Sequence, residues 1–480
     1  MRTLVWFRGK DLRVADHGPL RQAVEGGGLI PVFCLDPFFF APARARALPH
    51  RMAFLLDGLR SLQANLAHLG SRLIVVEGRA VERIPELAAR WRVDRVSAQA
   101  WVEPFARERD RRVAAALGAH GIPFDLHDGA TLVPPGSLRT QAGAMFGVFT
   151  PFARAFARAA AVPSANPAPR ALPPLPAGLE AVPEAAIPTL ADLGIPENPR
   201  LVRGGEKAAR ARLKAFLAGP ISRYREGRNR MDWDATSRLS ADLKFGTLSP
   251  AAVWWAVAER FGAGHDADVD AFLNELVWRE FAHHLLWDRP DLLEHPFKPA
   301  WEGFPWLADE AGFEAWSEGR TGYPVVDAAA RQLKAEGFVH NRARMVAASF
   351  LTKDLRISWR RGEAHYLRWL VDGDWAPNNA GWQWSAGCGC DAQPWFRIFN
   401  PASQGRRFDP DGDYVRRWVP ELAGLDARWI HAPWEAPEDL RRGLDYPAPI
   451  LDHARARADF LAAAKAHLGG GRPPGGSVEG

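Results

Sequence analysis

The chain has 480 residues, of which 47% are hydrophobic and 24% are charged, the balance of a soluble globular protein. Its 61 basic and 56 acidic residues leave a net charge of +5, which does not require a polyanionic partner but leaves room for a basic patch. Three cysteines are too few for a disulfide framework, so we expect a reducing compartment, the cytoplasm. No signal-peptide pattern opens the chain and no run of eighteen apolar residues occurs, so we expect no membrane span.

Short apolar runs alternate with helical patterns over the first 130 residues. The runs predict strands at 3–7, 29–36, 72–78, 95–100 and 123–128. The helical patterns lie at 49–70, 79–92 and 103–120. Strands separated by helices of this length are typical of a parallel sheet, so residues 1–130 are predicted to form an α/β, doubly wound domain. No GxGxxG motif follows the first strand, so a dinucleotide-binding version is unsupported.

Proline recurs every few residues between 161 and 200, which forbids regular helix and favours an extended path. We predict an interdomain linker over 131–202. An all-α domain is predicted over 203–466, where the pattern is helical with few strand signals. The glycine- and proline-rich residues 467–480 are predicted to be a disordered tail.

Tryptophan is the unusual residue, with 20 Trp against 5 Tyr. The stretch DGDWAPNNAGWQWSAGCGCD (372–391) mixes indoles, carboxylates and amides, which neither a plain core segment nor an ordinary surface loop requires. Some of these indoles either fill a helical core or stack on flat ligands and carry electrons. Cys388 and Cys390 have no second cysteine pair, and no metal site is expected.

Three further segments each allow two interpretations. The hydroxyl-rich TSRLS (236–240) either caps a helix or leaves backbone N–H groups for a phosphate. Glu275, Trp278 and Arg279 share one helical face, as a solvated stripe or as a pocket for an aromatic ligand. Met345 lies one turn from Asn341 and beside Arg342, either as core or as the wall of a cavity.

A family resemblance covers residues 1 to about 465. The stretches that carry it are WFRGKDLRVADHGPL (6–20), HNRARMVAASFLTKDL (340–355), DGDWAPNNAGWQWSAG (372–387) and WFRIFNPASQGRRFDPDGDYVRRWVPEL (395–422). They resemble the DNA photolyase and cryptochrome family, and are most similar to microbial class I cyclobutane pyrimidine dimer photolyases. The resemblance implies an FAD-binding helical domain after the α/β domain.

The resemblance also implies which residues hold FAD. The phosphates would be held by Tyr224, Thr236, Ser237, Arg238, Leu239 and Ser240. Asp372, Gly373 and Asp374 would lie along the flavin and ribose, with Arg344 paired to Asp372. Asn378 would face flavin N5, where a neutral amide can donate or accept a hydrogen bond without adding charge.

An electron path follows from the same resemblance. Trp382 would be the indole nearest the flavin, and Trp359 and Trp306 would continue to the surface. The spacing of these residues does not reveal the path. All three family positions carry Trp, which is what photoreduction of oxidised FAD requires.

The implied function is light-driven repair of cyclobutane pyrimidine dimers by electron transfer from excited reduced FAD to a flipped-out dimer. Glu275 would bond the carbonyl edge of the dimer and stabilise its charge. The implied DNA-binding residues are Arg228, Trp278, Asn341, Arg342, Met345 and Trp384. The partner would be damaged DNA, and the protein a monomer. The alternatives are a cryptochrome photosensor and a nucleic-acid-binding protein without light chemistry.

A second chromophore, the antenna, is implied in the N-terminal domain. The folate-binding members place Asn-Glu before an Arg-x-Arg-Asp run, but VEPFARERD (102–110) has Phe105 and Ala106 there. The stretch is similar to that of the members that bind 8-hydroxy-5-deazaflavin, an anion. The implied antenna-binding residues are Asp36, Arg51, Glu103, Arg109 and Lys244. FMN, a reduced folate and no antenna at all are the alternatives.

Overall fold

The computed structural model describes residues 1–262, 266–391 and 394–469. Two compact units divide the chain. The first contains Met1–Gly227, Ala235–Pro290 and Leu367–Pro377. The second contains the described residues of Arg228–Asp234, Asp291–Tyr366 and Asn378–Gly480. The predicted boundaries at 130, 202 and 466 stay predictions, and residues 470–480 of the predicted tail lie outside the described residues.

A five-stranded parallel sheet organises the first unit, as predicted. Its strands are β1 (Thr3–Phe7), β2 (Leu29–Leu35), β3 (Ile74–Glu77), β4 (Arg95–Gln99) and β5 (Phe124–His127). Their order is β3-β2-β1-β4-β5, so the chain reverses direction across the sheet between β1 and β4. Thr3 pairs with Leu29 on one side and with Arg95 on the other. Every residue of β1 is buried, which a parallel strand covered on both faces requires.

Helices cover both faces of this sheet. They are α1 (Gly18–Glu25), α2 (Pro37–Phe40), α3 (Pro42–Arg46), α4 (Pro49–His68), α5 (Ala80–Arg90) and α6 (Pro104–Gly118). The apolar residues of α4 pack with Val5 and Phe7 on one face. Those of α5 pack with Leu4 and Trp6 on the other. The three helices predicted from periodicity are confirmed within two residues at each end.

The proline-rich residues 161–202, here called the proline strap, contain neither helix nor strand. They nevertheless pack on the first unit. Leu172 N donates to Leu69 O at 2.7 Å, and Ala185 N donates to Val75 O of β3 at 2.8 Å. Leu172, Leu193 and Ile195 are buried in the core that contains α4. The extended path is confirmed, and the strap contributes to the core of this unit.

Six more helices belong to the first unit. They are α7 (Phe149–Ala159), α8 (Glu206–Ala218), α9 (Tyr224–Gly227), α10 (Ser240–Phe245), α11 (Pro250–Phe261) and α12 (Ala267–Asp288). Helix α7 lies inside the predicted linker and was not predicted. Its buried Phe149, Phe152 and Phe156 recur at the spacing of one helical face. That aromatic stripe packs toward α12 and α11 and accounts for the helix.

The second unit is helical throughout its described part, as predicted. Its helices are α13 (Glu310–Glu318), α14 (Pro324–Glu336), α15 (Asn341–Ser349), most of α16 (Trp359–Trp369) and of α17 (Trp375–Ala386), α18 (Pro401–Phe408), α19 (Asp413–Trp418), α20 (Ala427–Ile430), α21 (Glu438–Arg442) and α22 (His453–His467). Residues 367–369 of α16 and 375–377 of α17 belong to the first unit. A π-helical turn, Phe350–Asp354, extends α15. Within the described ranges, none of the helices is both long and apolar enough to cross a membrane.

Candidate cofactor and nucleic-acid sites

A cavity of about 300 Å³ opens at the carboxyl ends of β1, β2 and β4 in the first unit. Ligands of doubly wound sheets bind at this edge, next to the point where the strand order reverses. Phe7 and Gly9 reach it from the end of β1, Cys34 from β2 and Trp101 from the end of β4. The fold therefore places a ligand-sized space where parallel sheets ordinarily bind ligands.

The five residues predicted for the antenna all line this cavity: Asp36, Arg51, Glu103, Arg109 and Lys244. They are not equivalent in structure. Asp36 caps α2 by accepting from Phe38 N and also accepts from Ala80 N, both at 2.9 Å, so it shapes the wall. Arg51 donates to the carbonyl oxygens of Leu367 and Gly373. Spatial convergence of these residues is observed, whereas their role in binding stays a prediction.

A buried ion pair forms part of the cavity wall. Lys10 contacts Glu103 and lies 2.8 Å from Asp374 through Nζ and Oδ1. Burial by itself lowers the pKa of Lys10, but Asp374 and Glu103 outweigh it and the pKa is raised. Asp374 shows the opposite shift. Burial by itself raises the pKa of Asp374, but Lys10 and His283 outweigh burial and hold this pKa well below its ordinary value. Sequence reasoning missed Lys10, although it follows β1 directly in the quoted motif.

Two other cations of the cavity, Lys244 and Arg109, have lowered pKa values instead of raised ones. Burial, followed by the charges of Arg51 and Lys10, brings the pKa of Lys244 well below its ordinary value. Burial and the neighbouring Arg8 lower the pKa of Arg109 to about 10. A bound anion would offset the neighbouring positive charges that contribute to both shifts. The electrostatics of the cavity therefore favour an anionic ligand.

Aromatic rings complete the wall. Phe105 packs edge-on to Trp101 at 6.5 Å and to Trp375 at 6.4 Å between ring centroids. Phe38, which is exposed, lies 6.1 Å from Phe105. Among the described residues, the buried atoms Trp101 Nε1 and Arg51 Nε have no hydrogen-bond partner. Flat walls with unused donors fit a planar ring that carries acceptor atoms.

Helix α12 carries the predicted acid–indole–guanidinium face. Arg279 donates to Ala130 O at 2.8 Å, and its side chain is only 12% exposed, so a solvated stripe is wrong for this residue. Trp278 is half-buried and stacks on Phe149, and Glu275 is half-buried one turn earlier. His283 Nδ1 lies 2.8 Å from Arg279 O, and its Nε2 lies 3.3 Å from Asp374 Oδ2.

The hydroxyl run at 236–240 does not cap the helix it precedes. Helix α10 has Leu239 at its N-cap, with no side-chain cap hydrogen bond. Ser237 Oγ accepts only a long bond from Leu239 N, at 3.4 Å, and Arg238 adopts a left-handed φ of 50°. The capping interpretation is therefore wrong for α10, and phosphate binding stays a prediction. Tyr224 is buried edge-on against Phe216 and Phe272.

In the second unit, Trp382 is buried within an aromatic cluster. Tyr366 and Trp316 approach it edge-on, with centroids 5.1 Å and 6.0 Å away. A Cβ atom at Gly362 would lie 2.2 Å from Trp382 Cη2, so only glycine at 362 leaves room for this indole. Trp359 is buried at the start of α16. The close aromatic environment of Trp382 holds this indole in one orientation.

Trp306 is half-buried and packs against Phe304 at 4.5 Å and Trp301 at 6.4 Å. Beside it, Leu307 N donates to Arg356 O at 2.8 Å. This hydrogen bond fixes the segment of Trp306 to the chain just before α16. The partial exposure of Trp306 agrees with the surface end of the predicted path.

Asn378 donates from Nδ2 to Glu363 O at 3.3 Å. Glu363 is buried, and Asn379 Nδ2 donates to its carboxylate at 3.0 Å. Burial raises the pKa of Glu363 to about 7. Arg344 donates to Val339 O at 2.8 Å. Its predicted pairing with Asp372, a residue of the other unit, stays a prediction.

The predicted DNA-contacting residues of the second unit include a cationic group. Arg342 lies 4.3 Å over the Phe408 ring and donates to Asn229. Burial, then the charges of Arg228 and Arg407, lower its pKa. A guanidinium group with two further arginines close enough to affect its pKa is suited to a phosphate backbone.

Met345 is half-buried and lies between polar neighbours. Asn341 Nδ2 and Arg342 each approach its Sδ at 3.8 Å. Trp384 is half-buried on α17. The interpretation of Met345 as plain core is therefore wrong.

Comparison with known proteins bears on both units. The family model described as DNA photolyase matches residues 3–174, and the one described as the FAD binding domain of DNA photolyase matches residues 272–466. A relative named deoxyribodipyrimidine photo-lyase, from Streptomyces griseus, is 43% identical over 94% of this chain and 96% of its own. The chain belongs to the DNA photolyase family. A second photolyase of that name, from Agrobacterium fabrum, is 39% identical over 96% of this chain and 97% of its own.

Solved photolyase-family structures share the fold. A bacterial class III photolyase from Agrobacterium tumefaciens has a TM-score of 0.89 and 38% identity, with 97% of both chains covered. A Synechocystis cryptochrome has a TM-score of 0.89 and 31% identity, covering 96% of this chain and 99% of its own. An archaeal photolyase from Sulfolobus tokodaii, described with two FAD molecules, has a TM-score of 0.83 and 29% identity, covering 97% of this chain and all of its own. The predicted family and the FAD-binding photolyase fold are confirmed.

Proposed function

We propose that this protein repairs cyclobutane pyrimidine dimers in DNA by light-driven electron transfer, as a photolyase of the class I type. The observation that carries the proposal is the identity of 43% across nearly the whole of a relative named deoxyribodipyrimidine photo-lyase. Identity of that extent spans both units, whose folds match those of solved photolyases. We further propose that the protein acts as a monomer in the cytoplasm.

FAD, when bound, supplies the light-driven electron that opens the dimer. The chain's own residues would hold and tune it. Backbone N–H groups at the start of α10, whose N-cap residue makes no side-chain cap hydrogen bond, are suited to its phosphates. The amide of Asn378 is kept in place by Glu363 O and brings no charge. Asp372, Gly373, Asp374 and Arg344 complete the proposed set.

The lesion would be held by the residues that the family resemblance implies. Trp278 offers a stacked indole for a base, and stacking of this kind is tolerant of which base it meets. Glu275 would bond the carbonyl edge of the dimer and stabilise the charge that develops there. Asn341, Met345 and Trp384 would contact the flipped bases.

The DNA backbone would be held by cations. Arg228 and Arg342 would contact the phosphates on either side of the lesion. The depressed pKa of Arg342 beside Arg228 supports this role, because an anion relieves repulsion between neighbouring guanidinium groups.

Photoreduction of oxidised FAD would use Trp306, Trp359 and Trp382. The local packing of Trp382 and Trp306 supports this assignment, since aromatic rings contact both indoles and Trp306 is part-exposed. A fixed indole keeps the same distance to its neighbours from one photon to the next.

The antenna cavity would take 8-hydroxy-5-deazaflavin. Depressed pKa values of Lys244 and Arg109 support an anion, and the aromatic wall supports a planar ring. FMN and FAD are also planar and anionic, and a second FAD is described for the archaeal relative. A reduced folate and no antenna at all are the remaining alternatives.

The second candidate function is that of a cryptochrome-type photoreceptor without repair. The Synechocystis cryptochrome matches this fold with the same TM-score as the class III photolyase. Repair activity therefore separates the two candidates better than fold does.

The test is repair itself. Protein loaded with FAD and chemically reduced is mixed with a duplex that contains one cyclobutane thymine dimer, in blue or near-ultraviolet light and in darkness. We expect loss of the dimer in light alone, followed by chromatography of the digested DNA. A Glu275→Gln variant, measured beside it, should bind the lesion but repair it more slowly. Absence of light-dependent loss at full FAD loading would reject repair and leave the photoreceptor.

A further inference from the structure

Phe149 and Trp278 form a face-to-face ring stack in the first unit. Their ring centroids are 3.5 Å apart and their planes differ by 6°. Phe149 is the first residue of α7 and is 7% exposed, whereas Trp278, on α12, is half-buried. Isolated aromatic pairs prefer offset or edge-on arrangements. The face-to-face geometry is therefore imposed by the packing of α7 on α12, and not by the intrinsic preference of the two rings.

A third ring locks the stack from the side. Phe281, one turn after Trp278, meets Phe149 edge-on at 5.8 Å and Trp278 edge-on at 5.9 Å. Phe152, one turn along α7, packs against Phe281 at 5.2 Å. Val148 is extended, so the helix and the position of Phe149 begin at a defined point. Trp278 is thus held in one plane before any ligand arrives.

Trp278 keeps part of its surface exposed. One face of Trp278 is covered by Phe149, yet the side chain is only half-buried, so part of it stays open to a ligand. Ordering a mobile side chain opposes binding, and a side chain ordered in advance avoids that cost.

We propose that Phe149 is a positioning residue for lesion recognition: it fixes the plane of Trp278 so that the indole meets the pyrimidine dimer without reorientation. This inference rests on the proposed function and adds a residue that touches no DNA.

An ordinary core stack makes a different prediction. If Phe149 only stabilised the contact between α7 and α12, its loss would change binding of damaged and undamaged DNA alike. If it orients Trp278, its loss weakens binding of the lesion and spares binding of undamaged duplex, which is held through phosphates. The ratio of the two affinities separates the interpretations.

The experiment compares three variants with the wild type, all loaded with FAD and kept in darkness. Phe149→Leu removes the stack, and Phe149→Tyr retains an aromatic ring. Phe156→Leu is the matched control, because Phe156 lies on the same face of α7, is 4% exposed and packs against Trp254. Dissociation constants are measured for a duplex with one thymine dimer and for the same duplex undamaged.

We expect Phe149→Leu to lower the preference for damaged over undamaged DNA by about three- to tenfold. Phe149→Tyr and Phe156→Leu should keep the wild-type preference. The rate of dimer splitting in the saturated, illuminated complex should be unchanged in Phe149→Leu. Should that variant not fold, Phe149→Met, which keeps an apolar side chain of similar length, replaces it.

An unchanged preference in Phe149→Leu, or an equal fall in Phe156→Leu, would overturn the inference while repair by the wild type still stands. A wild type with no preference for damaged DNA would overturn the inference and the proposed function together. The two failures are distinguishable because only the second is seen without any substitution.

Discussion

Lys10 Nζ lies 2.8 Å from Asp374 Oδ1, and both side chains are buried. These residues are 364 positions apart in the chain. Lys10 also contacts Glu103, so one ammonium compensates two buried carboxylates. Removing one partner of such a group leaves an uncompensated charge in a poor solvent for ions.

Lys10→Met should therefore lower the free energy of unfolding by about 3–5 kcal/mol, measured by urea titration. The pKa of Asp374 is depressed, so its contribution is present above an unfolded pKa of about 3.9 and is lost as pH falls through the folded value. The pKa of Lys10 is raised, so its contribution is present below about pH 10.4 and is lost as pH rises through the folded value. The cost of the substitution should be constant between about pH 5 and pH 9.

Arg72→Met is the control. Arg72 pairs with Glu184 on the surface, where the two side chains are 51% and 40% exposed. Its loss should cost less than about 1 kcal/mol. Equal costs for the two variants would contradict the view that the Lys10 group is an obligate buried network.

Glu280 provides a test of pH dependence. It is fully buried, accepts from Leu132 N at 2.8 Å, and burial raises its pKa to about 7. The folded state thus binds a proton more tightly than the unfolded state, so stability falls as pH rises from about 4.3 to about 7.

Glu280→Gln removes this loss. Between pH 5 and pH 8 the variant should gain on the order of 3 kcal/mol relative to the wild type. Thermal unfolding midpoints at the two pH values provide the measurement. Glu77→Gln, at an exposed position, should leave the wild-type pH dependence intact. A parallel pH dependence in Glu280→Gln and wild type would show that Glu280 does not ionise in this range.

Trp382→Phe should block photoreduction of oxidised FAD and leave repair by already reduced enzyme largely intact. The reason is that the two processes use different electron paths. In photoreduction the electron reaches FAD through the indoles, whereas in repair the electron passes from FAD to the lesion. Photoreduction is followed by absorbance of the oxidised flavin under illumination with an external reductant. Trp316→Phe is the matched control, since Trp316 is buried 6.0 Å from Trp382 but is not on the proposed path.

Unchanged photoreduction in Trp382→Phe would mean that the path is wrong or bypassed. The structure offers a way to tell. Tyr366 lies 5.1 Å from Trp382, so a bypass through it would appear as loss of photoreduction only in the Trp382→Phe, Tyr366→Phe double variant.

Trp278→Ala should weaken binding of dimer-containing DNA by about 1–3 kcal/mol, the usual contribution of one aromatic–base stack. Binding of undamaged duplex should change much less, because phosphate contacts dominate it. Affinities are compared in darkness at one salt concentration. Equal weakening of both complexes would identify Trp278 as a core residue.

Titration with 8-hydroxy-5-deazaflavin tests the antenna. We expect one molecule to bind per chain and to transfer excitation to FAD, seen as quenching of its fluorescence. Lys244→Met should weaken binding by about 10- to 100-fold, whereas Lys207→Met, at an exposed position, should not. Tighter binding of a reduced folate, FMN or FAD would replace the assignment.

Binding of an anion should also raise the pKa of Lys244, which burial, Arg51 and Lys10 depress in the free protein. The complex should therefore take up a proton at pH values between the depressed and the restored pKa. Calorimetry in two buffers with different ionisation enthalpies measures this uptake. No uptake at any pH would show that Lys244 is already charged before the ligand arrives.

Local pattern was enough to predict the sheet. The strands are continuous apolar runs, such as Leu4–Phe7 and Leu29–Leu35, which is the pattern of strands buried on both faces of a parallel sheet. The ends of each predicted strand therefore lie within two residues of the observed ends. Helix α7 was missed because its apolar stripe consists of three phenylalanines in a short segment next to the proline-rich region. Periodicity over eleven residues is a weak signal beside so many helix breakers.

The residues of the candidate sites also divide into those that the sequence could predict and those that it could not. Arg51 and Lys244 were named through family resemblance, and no spacing rule would have joined them. Lys10 could have been found, since residues just after the first strand of a doubly wound sheet lie at its ligand-binding edge. The stack of Phe149 on Trp278 could not, because it depends on how two helices pack together and the two residues are 129 positions apart in sequence.

The proline strap has a consequence for the behaviour of the protein at high concentration. Strand β3 is at one end of the sheet, and an unpaired strand edge is a template for a strand of another molecule. Ala185 occupies that edge through its bond to Val75 O, while Pro183 and Pro188 on either side lack the N–H groups that a continuing ladder would need. The proline strap therefore covers the β3 edge of the sheet with a segment to which no further strand can be added. Pairing of this edge with a strand of another molecule is blocked by the chain itself.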